Sequence, residues 1–144
     1  MKRRVHILFI LVAAILTMAS CDKWDCNGDL DGMWQLMEWR DKDNNVKATK
    51  EDMIFYSFQL QMASFRKQSG GEFYISSMLE VKPEQIRIYN PATYRGDGHD
   101  EIKEMSILSI CGVPEDGIFK IQVLTGSKME LKTNAEDVLV FRKY

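Results

Sequence analysis

Three cysteines and two histidines are the side chains with the softest donors and the readiest bases in this chain. Cys21 and Cys26 stand five apart and Cys111 is remote, so no Cys-x-x-Cys pair offers the spacing of a zinc site. His6 lies in the leading hydrophobic segment, which leaves His99 as the single candidate base of the mature chain. A histidine triad needs a nucleophile and an orienting acid beside it. No such pair occurs at a recognisable spacing, so neither an enzyme nor a metal or cofactor site is expected. His99 sits in Arg95-Gly96-Asp97-Gly98-His99-Asp100-Glu101, a run that gathers oxygen ligands but reads as a solvated, glycine-rich loop.

Cys21 carries different chemistry. Met1-Lys2-Arg3-Arg4 is cationic, and Ile7 to Met18 is apolar and uncharged. That run suits a signal-peptide core and is shorter than the roughly 20 residues needed to span a bilayer. Met18-Ala19-Ser20-Cys21 then resembles a bacterial lipobox, with small residues before a thiol that can accept diacylglycerol. Residues 1–20 are expected to be the signal. Residues 21–31 are expected to be a lipidated N-terminus and tether, with the membrane as partner through the lipid on Cys21. Asp22, Asp25, Asp29 and Asp31 follow; this acidic stretch resembles the surface-export signals of lipoproteins from Bacteroidetes, whereas in other Gram-negative groups aspartate beside the cysteine resembles an inner-membrane retention signal. The expected location is the cell envelope, at the outer membrane, on its periplasmic face or at the cell surface.

The signal holds three basic and no acidic residues, which leaves 16 basic against 21 acidic, a net charge of −5 over 124 residues. A chain of that length suits one domain. Its charge argues against nucleic acid, which calls for a basic face. Outside the cytoplasm, Cys26 and Cys111 either pair as a disulfide or stay as thiols, and geometry decides between them.

The elements that would position any site read as strands. Ile54, Tyr56, Phe58, Leu60 and Met62 alternate with Phe55, Ser57, Gln59, Gln61 and Ala63. Gln68-Ser69-Gly70-Gly71 reads as a turn, and Phe73, Ile75, Leu79 and Val81 as the returning strand. Ile86 and Ile88 begin another, which Asn90-Pro91 ends. Phe119 to Val123, Met129 to Leu131 and Val138 to Lys143 follow, separated by Thr125-Gly126-Ser127 and Thr133-Asn134. Short helical turns are expected near Thr49–Asp52 and Asp100–Met105. Asp41-Lys42-Asp43-Asn44-Asn45 has the acidic start of an EF-hand loop, but Val46 stands where glycine is needed, so a hairpin connection is expected. The fold class is all-β, an antiparallel meander of about eight strands with little helix. Closure into a barrel would remove the free edges.

Asp31-Gly32-Met33-Trp34 opens the domain, and its Gly-x-Trp resembles the opening motif of lipocalins. With the lipobox and the terminal Leu139-Val140-Phe141-Arg142-Lys143-Tyr144, the layout is similar to the small lipocalin-like lipoproteins of Bacteroidetes. The resemblance implies a lipocalin-like barrel over residues 32–144. It also implies that Gly32 permits a tight approach, that Trp34 plugs the closed end, and that Arg142 stacks over Trp34. Inward residues of an eight-stranded barrel either fill it or leave room for one small ligand. Trp34, Tyr56, Phe58 and Phe73 are the candidate lining for a small apolar or amphipathic ligand. The other reading is a filled barrel that binds a protein or glycan at the cell envelope.

Overall fold

The computed structural model describes residues 27–94 and 100–144. Ten strands form one antiparallel sheet: β1 (Gly32–Arg40), β2 (Val46–Thr49), β3 (Ile54–Gln59), β4 (Met62–Lys67), β5 (Phe73–Lys82), β6 (Gln85–Tyr94), β7 (Asp100–Ile102), β8 (Ile118–Leu124), β9 (Lys128–Thr133) and β10 (Val138–Lys143). Eight of them close a ring in the order β1, β3, β4, β5, β6, β8, β9, β10, and β10 pairs back onto β1 from Trp34↔Lys143 to Arg40↔Val138. β2 hangs from β1 and β7 from β6. The molecule is a closed, all-β, lipocalin-like barrel.

Period-two alternation builds the wall. On β4, Ala63 and Phe65 are buried while Met62 and Arg66 face out; on β9, Met129, Leu131 and Thr133 are buried while Lys128 is exposed. The inward sets of all eight strands merge into a single core that also takes in Leu30, Leu108, Cys111 and Val113 from outside the sheet.

The strand expected from Ile54 to Ala63 is two strands. The chain turns at Leu60–Gln61, with Gln59 paired to Met62. Leu60 takes a φ of 56°, the left-handed conformation that such two-residue hairpins require. The reversal flips Met62 to the outer face and leaves Leu60 at the tip. Asn90-Pro91 does not end β6 either. Asn90 adopts a φ of 50°, and the register against β5 shifts between Ser76 and Met78, so the strand passes through a bulge and continues.

Asp41–Asn45 is the expected hairpin connection, where the Asp41 carboxylate accepts from the Asp43 and Asn45 amides. These bonds hold its carboxyl below the usual range, the Asn45 amide contributing most. Thr49 caps a 3₁₀ turn at Lys50–Asp52, as expected. The helical turn expected at Asp100–Met105 lies later: Asp100–Ile102 is strand, and Met105–Cys111 is 3₁₀ helix.

Candidate functional site

The interior is built around Tyr56. Its ring lies 4.6 Å from that of Phe141, 4.7 Å from Phe65, 6.2 Å from Phe58 and 6.4 Å from Phe119. Most of these contacts are edge-on or tilted, the arrangements aromatic quadrupoles favour. Trp34, Tyr56, Phe65 and Phe119 are 0% exposed, and Phe58 and Phe141 are 1% exposed. Trp34, Tyr56 and Phe58 belong to the buried core. Phe73, at the start of β5, is half-buried against the edge of that core. Ser77, paired with Ala63, is the buried side chain among the described residues whose hydroxyl lacks a partner.

At one end, the turn Gly28–Leu30 tucks Leu30 under the barrel, and the Trp34 Nε1–H donates to the Leu30 carbonyl at 2.8 Å. The cation over Trp34 is Lys143, with Nζ 4.9 Å from the ring centroid. Arg142 is exposed, which corrects the expected stack. Leu139 and Phe141 point inward, so alternation puts 143 on their face and 142 on the outside. Lys143 also donates to the Asp29 carbonyl at 2.9 Å. Gly32 fits its expected role: φ is 116°, and a Cβ there would stand 2.9 Å from Lys143 Cε.

The other end, the mouth, is plugged by the segment from Met105 to Val113. Leu108, Cys111 and Val113 are buried in the core. The Tyr56 hydroxyl crosses the interior and donates to the Cys111 carbonyl at 2.8 Å. Gly112 rests against Leu139 and Trp39. Cys111 is a free, buried thiol, and the other cysteine of the disulfide considered, Cys26, lies outside the described residues. Burial pushes the Cys111 thiol up to about 12, partly opposed by the nearby Lys67 charge. Burial likewise raises Tyr56 well above the ordinary phenol range. Both groups are neutral at physiological pH, which suits packing and not nucleophilic chemistry.

Two open grooves mark the outer wall. One, of about 440 Å³, lies among Asn27, Leu60, Gln61, Leu79, Glu80, Val81 and Tyr89. The second, of about 240 Å³, lies among Ser57, Leu60, Met62, Ser64, Tyr74 and Ser76. Among the described residues, no group of three or more acidic, histidine or cysteine side chains is placed to hold a metal ion. Cys21 and His99 lie outside the described residues.

The family profile of a lipocalin-like domain matches residues 15–144. The chain belongs to the lipocalin-like domain family. Among solved structures, a lipocalin-like protein from Bacteroides uniformis is 26% identical, with a TM-score of 0.60 over 81% of this chain and 100% of its own. A protein from Bacteroides eggerthii is 28% identical, with a TM-score of 0.59 over 80% of this chain and 99% of its own. A protein from Burkholderia xenovorans shares the fold at 16% identity and a TM-score of 0.52, over 80% of this chain and 83% of its own. No curated protein matches the sequence.

The grooves, Lys143 and the plug are the features that sequence reasoning missed. Parity with Phe141 was the available signal for Lys143. The plug had none, because a 3₁₀ segment of seven residues has too few turns to show a periodic pattern.

Proposed function

We propose that this lipocalin-like domain is a non-catalytic binding module, tethered to the cell envelope through lipid on Cys21, that engages a protein or glycan from outside a filled barrel. The observation that carries this reading is the ring cluster around Tyr56, in which Phe58, Phe65, Phe119 and Phe141 are buried on the barrel axis. A ligand on the barrel axis would have to displace several of these rings. At the mouth, Val46, Ile102 and Ile110 stand exposed, a place for a partner to rest. The cationic leader, apolar run and Met18-Ala19-Ser20-Cys21 motif support the tether.

A second reading keeps a small apolar or amphipathic ligand, admitted at the mouth. It is favoured by the slightness of the plug, a seven-residue 3₁₀ segment latched to the interior through the Tyr56–Cys111 hydrogen bond. Native mass spectrometry of residues 21–144, followed by denaturation, separates the two. The filled barrel gives the bare polypeptide mass and takes up no fatty acid, haem or bile-acid probe. A reproducible released molecule would establish the second reading. The tether is tested separately: labelling with a palmitate analogue is expected in the native chain and lost in Cys21→Ala.

A further inference from the structure

Nine large apolar residues among the described ones are exposed, and five of them lie near one another: Met62, Tyr74 and Met78 face out from β4 and β5, Leu60 is at the β3–β4 turn, and Val81 is near the end of β5. Their arrangement is continuous. Met62 pairs with Met78, and Met78 with Tyr89, in one row across three strands. Leu60 borders both outer grooves and joins this row to Tyr74 on one side and Val81 on the other. Met62 is 52% exposed and Tyr74 51%, more than isolated surface side chains of a packed wall would need.

The rim of the patch is mainly cationic: Arg66, Lys82 and Arg87 stand there with a single carboxylate, Glu80, which lies opposite Arg87 in register and pairs with Lys82 at 3.2 Å. The Arg66 guanidinium lies 6.0 Å from the Tyr74 ring centroid, and that of Arg87 lies 5.6 Å from Tyr89. Both arginines are exposed, and among the described residues neither has a carboxylate at ion-pair distance. An apolar stripe edged by tyrosines and exposed guanidinium groups matches the layers of a phospholipid surface, where acyl chains meet phosphates.

The chain itself leads to this place. Asn27, the first described residue, donates from Nδ2 to the Leu60 carbonyl at 2.7 Å and lines the groove beside it. Asn27 stands six positions after Cys21. Fully extended, that step spans about 20 Å. A lipid on Cys21 would therefore hold the patch within about that distance of the bilayer, while the mouth lies at the far end of the barrel. We propose that the patch Leu60–Met62–Met78–Tyr89, with Arg66 and Arg87, docks on the bilayer surface and lays the barrel on its β4–β5 wall. This inference rests on the acylation of Cys21.

Hydroxyl-radical footprinting tests it. The acylated mature chain in vesicles of phosphatidylethanolamine and phosphatidylglycerol is compared with residues 21–144 carrying Cys21→Ala, free in solution. The expected result is loss of oxidation at Leu60, Met62 and Met78 in the vesicles, with Val46, Ile102 and Ile110 at the mouth unchanged. Arg66→Glu with Arg87→Glu, both exposed, should restore oxidation of the patch while Cys21 stays acylated. Full oxidation of the patch in an acylated, vesicle-bound chain overturns the docking and leaves the tether intact. Protection already present in the free chain also overturns it, since the chain's own arm or a second copy then covers the patch. The mass of the N-terminal peptide reads acylation independently, and an unmodified Cys21 removes tether and docking together.

Discussion

The two ends of the barrel are closed by different means. At the Trp34 end the parts are near one another in sequence: Leu30, Gly32 and Trp34 lie within five residues, and the Trp34–Leu30 hydrogen bond spans four. Only Lys143 comes from afar. At the mouth every part is remote. The Tyr56 hydroxyl reaches a carbonyl 55 residues away, and Gly117 presses on the Ile88 carbonyl. One end is a local motif that the wall completes. The other is a segment without strand pairing, held by packing and by one buried latch. Few backbone bonds and a short segment are the features of a region that opens below the free energy of global unfolding.

If that contrast holds, damage at the Trp34 end should be global and damage at the mouth partly local. Trp34→Ala is expected to have the largest effect, about 3–5 kcal/mol of unfolding free energy, because it empties a fully buried site and strands the Leu30 carbonyl. Urea unfolding monitored by circular dichroism reads it. Glycines sharpen the comparison. At Gly117 a Cβ would stand 1.9 Å from the backbone oxygen of Ile88, and the Ile88 amide donates to the Gly117 carbonyl at 2.8 Å. Backbone cannot give way as the Lys143 side chain can at Gly32. Gly117→Ala should therefore lower stability more than Gly32→Ala, for which strain of about 1–3 kcal/mol is expected. Equal losses would mean that Lys143 is as rigid as backbone.

Tyr56→Phe removes the latch and keeps the ring. The buried Cys111 carbonyl then lacks its donor, a loss of about 1–3 kcal/mol. The distinguishing readout is local. Cys111 should react with a thiol reagent faster than in the parent chain, by up to about tenfold for each 1.4 kcal/mol by which opening is favoured. Unchanged thiol reactivity alongside lost global stability would show that the mouth and the wall unfold as one unit.

The contrast between the ends also explains what the sequence disclosed. Gly32-Met33-Trp34 is contiguous, so the closed end was legible, and alternation through Phe119, Met129, Leu131 and Phe141 made the barrel legible. The turn at Leu60–Gln61 was not, because it interrupts an unbroken apolar alternation without glycine, proline or asparagine. Its strain at Leu60 is imposed by pairing of β3 with β4. That hidden turn also concealed the outer patch, since it converts Leu60 and Met62 from expected core into surface. Filling of the interior was unreadable for another reason. Whether Tyr56 meets Phe65, Phe119 and Phe141 depends on barrel registers set by bulges, such as those at Glu38 and Val123.

pH separates the ends again, since the raised groups belong to the mouth. The Cys111 thiol moves from 9.0 to about 12 through burial, and Tyr56 moves in the same direction. Below about pH 9 the thiol is protonated in both folded and unfolded chains, so stability is level. Above it the unfolded chain releases the proton and the folded chain keeps it. Stability then falls, by at most about 1.4 kcal/mol per pH unit from the thiol, until the pH reaches about 12. Cys111→Ala should flatten the onset near pH 9 and leave the later decline from Tyr56. A parent and variant with the same pH profile in urea melts would remove the thiol from the account.

The smallest expected effect lies at the Trp34 end, in the charge alone. Lys143→Met keeps an apolar stem over the Trp34 ring and removes the ammonium, together with its bond to the Asp29 carbonyl. Lys143 is only half-buried, so the attraction is partly screened, and the loss should be about 0.5–1 kcal/mol. Arg142→Met, at the neighbouring exposed position, should change stability less. If the two substitutions cost the same, cation stacking on Trp34 contributes nothing to closing this end. Leu30 and the tryptophan would then close it by burial and their hydrogen bond alone, and both ends of the barrel would be held by packing and one buried polar contact.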